Sequence, residues 1–131
     1  MPRILIMDDD TEFCGTITSV LERQGYIVSS FLELDVGIKA ARSGKYDLVL
    51  LDVKFSKGAS LSTISRIREA DIAPEIVVMT DYGDMKSAEL AIEQGAVVYM
   101  VKPVSAQIIV DLVTRITSYH TRKYQPCSTR R

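Results

Sequence analysis

Five short apolar runs divide this chain at nearly even intervals, at residues 4–7, 26–31, 48–51, 76–79 and 97–101. They are rich in Ile, Val and Leu and scarcely alternate with polar residues. That is the pattern of strands buried on both faces, as in a parallel sheet. Successive starts lie 22, 22, 28 and 21 residues apart. Parallel neighbours need a crossover of a dozen or more residues, usually a helix, and every gap has room for one.

The gaps carry apolar residues at helical spacing. These are Phe13, Ile17, Val20 and Leu21 in the first gap, and Leu34, Ile38 and Ala41 in the second. The third holds Leu61, Ile64 and Ile67, and the fourth Ala88, Ala91 and Ile92. Gly25, Gly44 and Gly95 stand where three of these helices should end. Asp9 followed by Glu12 predicts a capping box for the first helix, and Asp84 an N-cap for the fourth. Ser105 predicts the cap of a last helix, marked by Ile109, Leu112, Val113 and Ile116 and ending near Tyr119. The sum is (βα)5, an α/β fold with a doubly wound five-stranded parallel sheet. Residues 1–119 make one domain, and 131 residues leave no room for two. Residues 120–131 lack periodicity and read as a basic tail, linker-like or disordered, with Arg122, Lys123, Arg130 and Arg131 and no acid.

Composition removes several classes of function. An apolar share of 47% with 25% charged residues excludes disorder of the whole chain. Cys14 and Cys127 are isolated and His120 is the single histidine, so neither a zinc site nor a disulfide framework is expected. The first apolar run is too short for a signal peptide or a membrane span, which makes a cytoplasmic location the expectation. Outside the tail, 12 basic residues face 17 acidic ones, a net charge of −5. Such a body is expected to make no direct nucleic-acid contact.

In doubly wound sheets, ligands bind at the carboxyl ends of the strands. The first run leads into Asp8, Asp9 and Asp10, and the third into Asp52. The fourth ends at Thr80 and Asp81, and the fifth at Lys102 and Pro103. The fold would bring carboxylates, a hydroxyl and an ammonium to one edge. Crowded carboxylates raise a pKa or recruit a cation. With no His or Cys among them the donors are hard oxygens, which suit Mg²⁺. A metal and a lysine around a carboxylate make a site for a phosphoryl group, with Asp52 placed as the nucleophile. Singly, each residue has a plainer reading: an aspartate as a cap or turn residue, Thr80 as structural, Tyr99 as core. The conjunction at four strand ends carries the inference.

These residues resemble the receiver domain of two-component response regulators, with its flavodoxin-like fold and strand order 2-1-3-4-5. The resemblance rests on Ile-Leu-Ile-Met-Asp8-Asp9, Asp47-Leu-Val-Leu-Leu-Asp52, Val77-Val-Met-Thr80 and Gly95-Ala-Val-Val-Tyr99-Met-Val-Lys102-Pro103. It covers residues 3–119. It implies that Asp52 accepts a phosphoryl group from a sensor histidine kinase or phosphotransfer protein. Asp9, Asp52 and the backbone carbonyl of Lys54 would ligate Mg²⁺, with Asp8 acting through water. Thr80 and Lys102 would bind phosphoryl oxygens, and a cis peptide before Pro103 would aim Lys102. Thr80 and Tyr99 would be the switch, changing the face made by the fourth helix, fifth strand and fifth helix. Apart from the resemblance, Ile108 and Val110 stand on the fifth helix besides its core stripe, which makes a homodimer through this face a candidate partner arrangement. The resemblance implies a signalling module rather than an enzyme.

The chain departs from that family in two places. A Pro four residues after the phosphoacceptor and an Asp-Gly pair soon after are usual, but here Phe55-Ser-Lys-Gly-Ala-Ser60 stands instead. The residue after the switch Thr is usually small, but here it is Asp81, which is expected to hinder small anionic donors such as acetyl phosphate. Lys54 and Tyr82 occupy the two positions that tune phosphoryl lifetime. Tyr82-Gly83-Asp84 is similar to receivers of the nitrogen-regulator type, which precede an AAA+ domain. With no output domain in this sequence, the expectation is either a regulator that acts through its switching face or a piece of a longer one.

Other functions fit less well. Haloacid-dehalogenase-like phosphatases need Asp-x-Asp-x-Thr after the first strand, whereas Thr11 comes one place early and Glu12 stands in its position. A flavodoxin-like FMN carrier would meet three aspartates where it needs a phosphate loop. A degenerate receiver, acting as a phosphorylation-independent interaction module, stays open as the alternative.

Overall fold

In a computed structural model, residues 2–53, 61–81, 83–102 and 104–123 are described, with 119–123 described by backbone alone. Five strands alternate with five helices. They are β1 (Arg3–Met7), α1 (Thr11–Arg23), β2 (Ile27–Ser30), α2 (Leu34–Ala41) and β3 (Leu48–Asp52). Then come α3 (Ser62–Arg68), β4 (Glu75–Thr80), α4 (Met85–Gln94), β5 (Val98–Val101) and α5 (Ala106–Lys123). All neighbours in the sheet are parallel, in the order β2-β1-β3-β4-β5.

The central strands are apolar at every position because helices cover both faces. Alternate residues point to opposite sides of a strand. Leu5, Met7, Val49, Leu51, Ile76 and Val78 pack with Ile38 and Ala41 of α2, Ile64 and Ile67 of α3 and Ala91 of α4. Ile4, Ile6, Leu48, Leu50, Val77 and Met79 pack instead with Cys14, Ile17 and Leu21 of α1 and Ile109, Val110 and Val113 of α5. Among the described residues, no helix is long and apolar enough to cross a membrane.

Register brings the polar strand ends together. Met7 pairs with Leu51, Asp52 with Met79, and Met79 with Met100. Asp8 therefore stands level with Asp52, while Thr80 and Lys102 follow one and two residues beyond that level.

Four local expectations need correction. Val110, expected outside the core stripe of the last helix, is buried beside Ile109 and Val113 on the α1–α5 side of the sheet, which leaves Ile108 as the exposed one of the pair. The cap of α1 is Asp10, not Asp9: the Asp10 carboxylate accepts the Phe13 N–H at 3.1 Å, and the helix begins at Thr11. Ile92 is half-exposed rather than core, because α4 buries only Ala91. Helix α5 continues to Lys123, past the expected end at Tyr119 and into the segment read as tail. The apolar stripe stops near Ile116, but the backbone bonds can propagate further, since Pro126 is the first helix breaker. The other caps are as expected: Asp84 accepts the Ser87 N–H at 2.7 Å, and Ser105 Oγ accepts the Ile108 N–H at 3.2 Å.

Candidate functional site

Asp8 and Thr80 are fully buried and Asp52 nearly so, while Asp9 is exposed. Asp8, Asp9 and Asp52 each offer a carboxylate oxygen, and the three oxygens lie within 4.8 Å of one another. Burying carboxylates is costly unless they are compensated. Asp8 is compensated at both oxygens: Oδ1 accepts the Asp10 N–H at 3.0 Å and Oδ2 the Lys102 ammonium at 2.6 Å. The same ammonium is 3.6 Å from Asp52 Oδ2. Lys102 itself is held at the end of β5, where its N–H donates to the Thr80 carbonyl at 2.8 Å.

Burial acts to lower the pKa of Lys102. The Asp8 hydrogen bond and the charges of Asp8, Asp52 and Asp81 outweigh it and hold the ammonium above its ordinary value. Lys102 is therefore a permanent cation at neutral pH. Three carboxylates against one ammonium leave the cluster two charges negative. The donors are all carboxylate oxygens, two buried and one open to solvent. That set fits a hard divalent cation such as Mg²⁺, which keeps part of its water shell.

The expected residues Asp8, Asp9, Asp52, Thr80 and Lys102 thus meet at one edge of the sheet. Tyr99 lies further back on β5, partly buried against the α2–α4 side of the core. A Cβ placed on Gly83 would lie 3.1 Å from its hydroxyl oxygen and run into Val101 Cγ2. The β4–α4 loop therefore touches this part of β5. The Lys54 carbonyl, the peptide before Pro103, Tyr82 and the segment 55–60 lie outside the described residues.

Two neighbours of the site were not legible as such in the sequence, where Phe13 stood in an apolar stripe and Cys14 only as an isolated cysteine. Cys14 is buried one turn into α1 and its thiol donates to the Asp8 carbonyl at 3.2 Å. Burial first, and then the Asp8 charge, push its pKa up to about 11. Phe13 places its ring centroid 4.4 Å from Lys102 Nζ. Both follow a strand-end aspartate at helical spacing, a signal visible in sequence but shared with any core stripe.

Residues 4–114 match the sequence family described as the response regulator receiver domain. The transcriptional regulatory protein DltR of Streptococcus agalactiae is 32% identical over 114 residues, which are 87% of this chain and 50% of DltR. This chain thus spans about half the length of that relative. A response regulator protein from Burkholderia pseudomallei, solved with a phosphorylated aspartic acid, calcium ion and citrate, is 26% identical, with a TM-score of 0.79. The match covers 95% of this chain and 74% of that one. The beryllofluoride-activated NtrC4 receiver domain dimer is 25% identical, with a TM-score of 0.81, over 88% of this chain and 96% of its own. This chain belongs to the response regulator receiver domain family.

Proposed function

We propose that Asp52 accepts a phosphoryl group from a histidine kinase or phosphotransfer protein, with Mg²⁺ held by Asp8, Asp9 and Asp52, and that the chain acts as a cytoplasmic signalling module. The observation that carries this reading is the buried Asp52 carboxylate beside two further carboxylates and the Lys102 ammonium. A carboxylate oxygen of Asp52 would attack phosphorus as the P–N bond of a phosphohistidine breaks. The electron pair stays on the imidazole nitrogen. Bound Mg²⁺ would supply the charge that lets a phosphoryl dianion approach the carboxylates. Lys102, 3.6 Å from Asp52 Oδ2, is near enough to take a phosphoryl oxygen, and the Thr80 hydroxyl would take another. The phosphorylated crystal structure from Burkholderia pseudomallei supports this assignment by similarity.

Output would pass through Thr80 and Tyr99 to the α4-β5-α5 face. Ile92, Val101 and Ile108, one on each of these elements, are 50%, 47% and 54% exposed. Apolar residues clustered at a surface suit a protein partner or a second copy, and the NtrC4 dimer supports the second copy by similarity. The acidic body of the domain supports an output by protein contact, with no direct nucleic-acid binding by the domain itself.

The test is Mg²⁺-dependent binding of beryllofluoride, a phosphoryl mimic, to wild type and Asp52→Asn, followed by fluorine NMR. Binding to wild type alone supports the phosphoacceptor. A folded wild type that binds none would favour the phosphorylation-independent interaction module.

A further inference from the structure

We propose that Phe13 is a positioning residue for Lys102, holding its ammonium in place through the aromatic face. The proposal rests on the phosphoacceptor reading and deepens it. An ammonium has three donor directions. One meets Asp8 Oδ2 at 2.6 Å, and Asp52 Oδ2 stands 3.6 Å away. The Phe13 ring, with its centroid 4.4 Å from Nζ, occupies a third side, well inside cation–π range. The result is a cation only 8% exposed at the side chain.

The ring is itself anchored. It packs, partly buried, against the α1–α5 side of the core, and Asp10, which caps α1 by accepting the N–H of Phe13, fixes the backbone that carries it. Asp10, Phe13, Asp81, Lys102 and Val104 line a cleft of about 250 Å³ at the mouth of the site. Phe13 therefore stands beside the ammonium at a cleft that the carboxylates of Asp10 and Asp81 also border. A lysine already confined near Asp52 loses less freedom when it engages a phosphoryl oxygen. A residue of equal size without a π face would fill the space and leave the ammonium loose.

The experiment varies the π face at constant shape. Phe13 is replaced by mono-, di- and trifluorinated phenylalanine, and by Phe13→Leu and Phe13→Tyr, in the full chain. Beryllofluoride affinity is measured at saturating Mg²⁺, Mg²⁺ affinity is measured separately, and the Lys102 ε-methylene proton shifts are followed by NMR. Affinity for beryllofluoride should fall stepwise with fluorination, reach a loss of about three- to tenfold in Phe13→Leu, and recover in Phe13→Tyr. Mg²⁺ affinity should not follow, and the upfield ring-current shift of the Lys102 protons should vanish in Phe13→Leu. Wild type that binds beryllofluoride with no dependence on fluorination would overturn the role of Phe13 alone. So would a parallel loss of Mg²⁺ affinity, which marks simple packing. Wild type that binds no beryllofluoride while keeping the Lys102 ring-current shift would overturn the phosphoacceptor reading and the role with it, leaving the contact standing.

Discussion

Lys102 leans closer to Asp8 than to Asp52: its ammonium is 2.6 Å from the first carboxylate and 3.6 Å from the second. In this arrangement the fully buried Asp8 has the Lys102 ammonium as its close counter-ion. Removing one partner of a buried pair strands the other, at a cost far above that of an exposed ion pair. Lys102→Met should therefore destabilise the metal-free protein by about 3 kcal/mol. Millimolar Mg²⁺ should restore part of the loss by supplying a substitute cation. Urea unfolding with and without Mg²⁺ reads both effects. A loss of less than about 1 kcal/mol would mean that the pair contributes no more than a surface one.

Asp81 brings negative charge to the mouth of the site, where it borders the cleft with Asp10 and Lys102. A small dianionic donor must pass it, whereas a protein donor can bring compensating basic groups. Asp81→Ala should raise the rate of phosphorylation by acetyl phosphate about three- to tenfold at low salt, with the gain shrinking as salt screens the field. Stopped-flow or phosphate-gel kinetics at two ionic strengths would check this. An unchanged rate at low salt would remove Asp81 from the account of donor choice.

The Cys14 thiol holds its proton to about pH 11, because it is buried and its nearest charge is Asp8. In the unfolded chain it would ionise near 9.0. The folded state thus binds the proton more tightly, and its contribution is complete below pH 9 and is lost as pH rises toward 11. Unfolding free energies of wild type and Cys14→Ser should converge across that window. At pH 8, alkylation of Cys14 by iodoacetamide should run at least about a hundredfold slower in the folded than in the unfolded protein. Equal rates would show that the thiol is open to solvent.

Strand number was legible because buried parallel strands leave unbroken apolar runs, and strand order came with the family resemblance; the polar residues that meet at the sheet edge were legible because four of the five runs lead into one. Finer placement was not legible. Of three consecutive aspartates, any could have capped α1, and only the backbone at Asp10 decides it. Ile92 matched a core stripe, yet Ala91 is the one residue of α4 fully buried, and Ile92 is turned outward. Phe13 also matched a core stripe. Its contact with Lys102 joins residues 89 positions apart, which a helical period cannot express. Gly83 was visible only as part of a loop tripeptide, although its lack of a side chain matters sterically.

That missing side chain gives the last prediction. A Cβ at residue 83 would run into Val101 Cγ2 and come 3.1 Å from the Tyr99 hydroxyl. The first approach is closer than any real contact, and a β-branched valine has few rotamers with which to yield. Gly83→Ala should therefore push the β4–α4 loop off β5 and cost about 1 kcal/mol, the lower end for overpacking because the site is partly open. Val101→Ala removes the obstructing methyl, so the double variant should lose less than the sum of the two single losses. If Tyr99 belongs to the switch, Gly83→Ala should also move its ring resonances in the free protein and change the shift produced by beryllofluoride. Additive losses, with Tyr99 resonances unmoved, would show that the loop accommodates a methyl group without touching β5, and the steric link between residue 83 and the switching face would be lost.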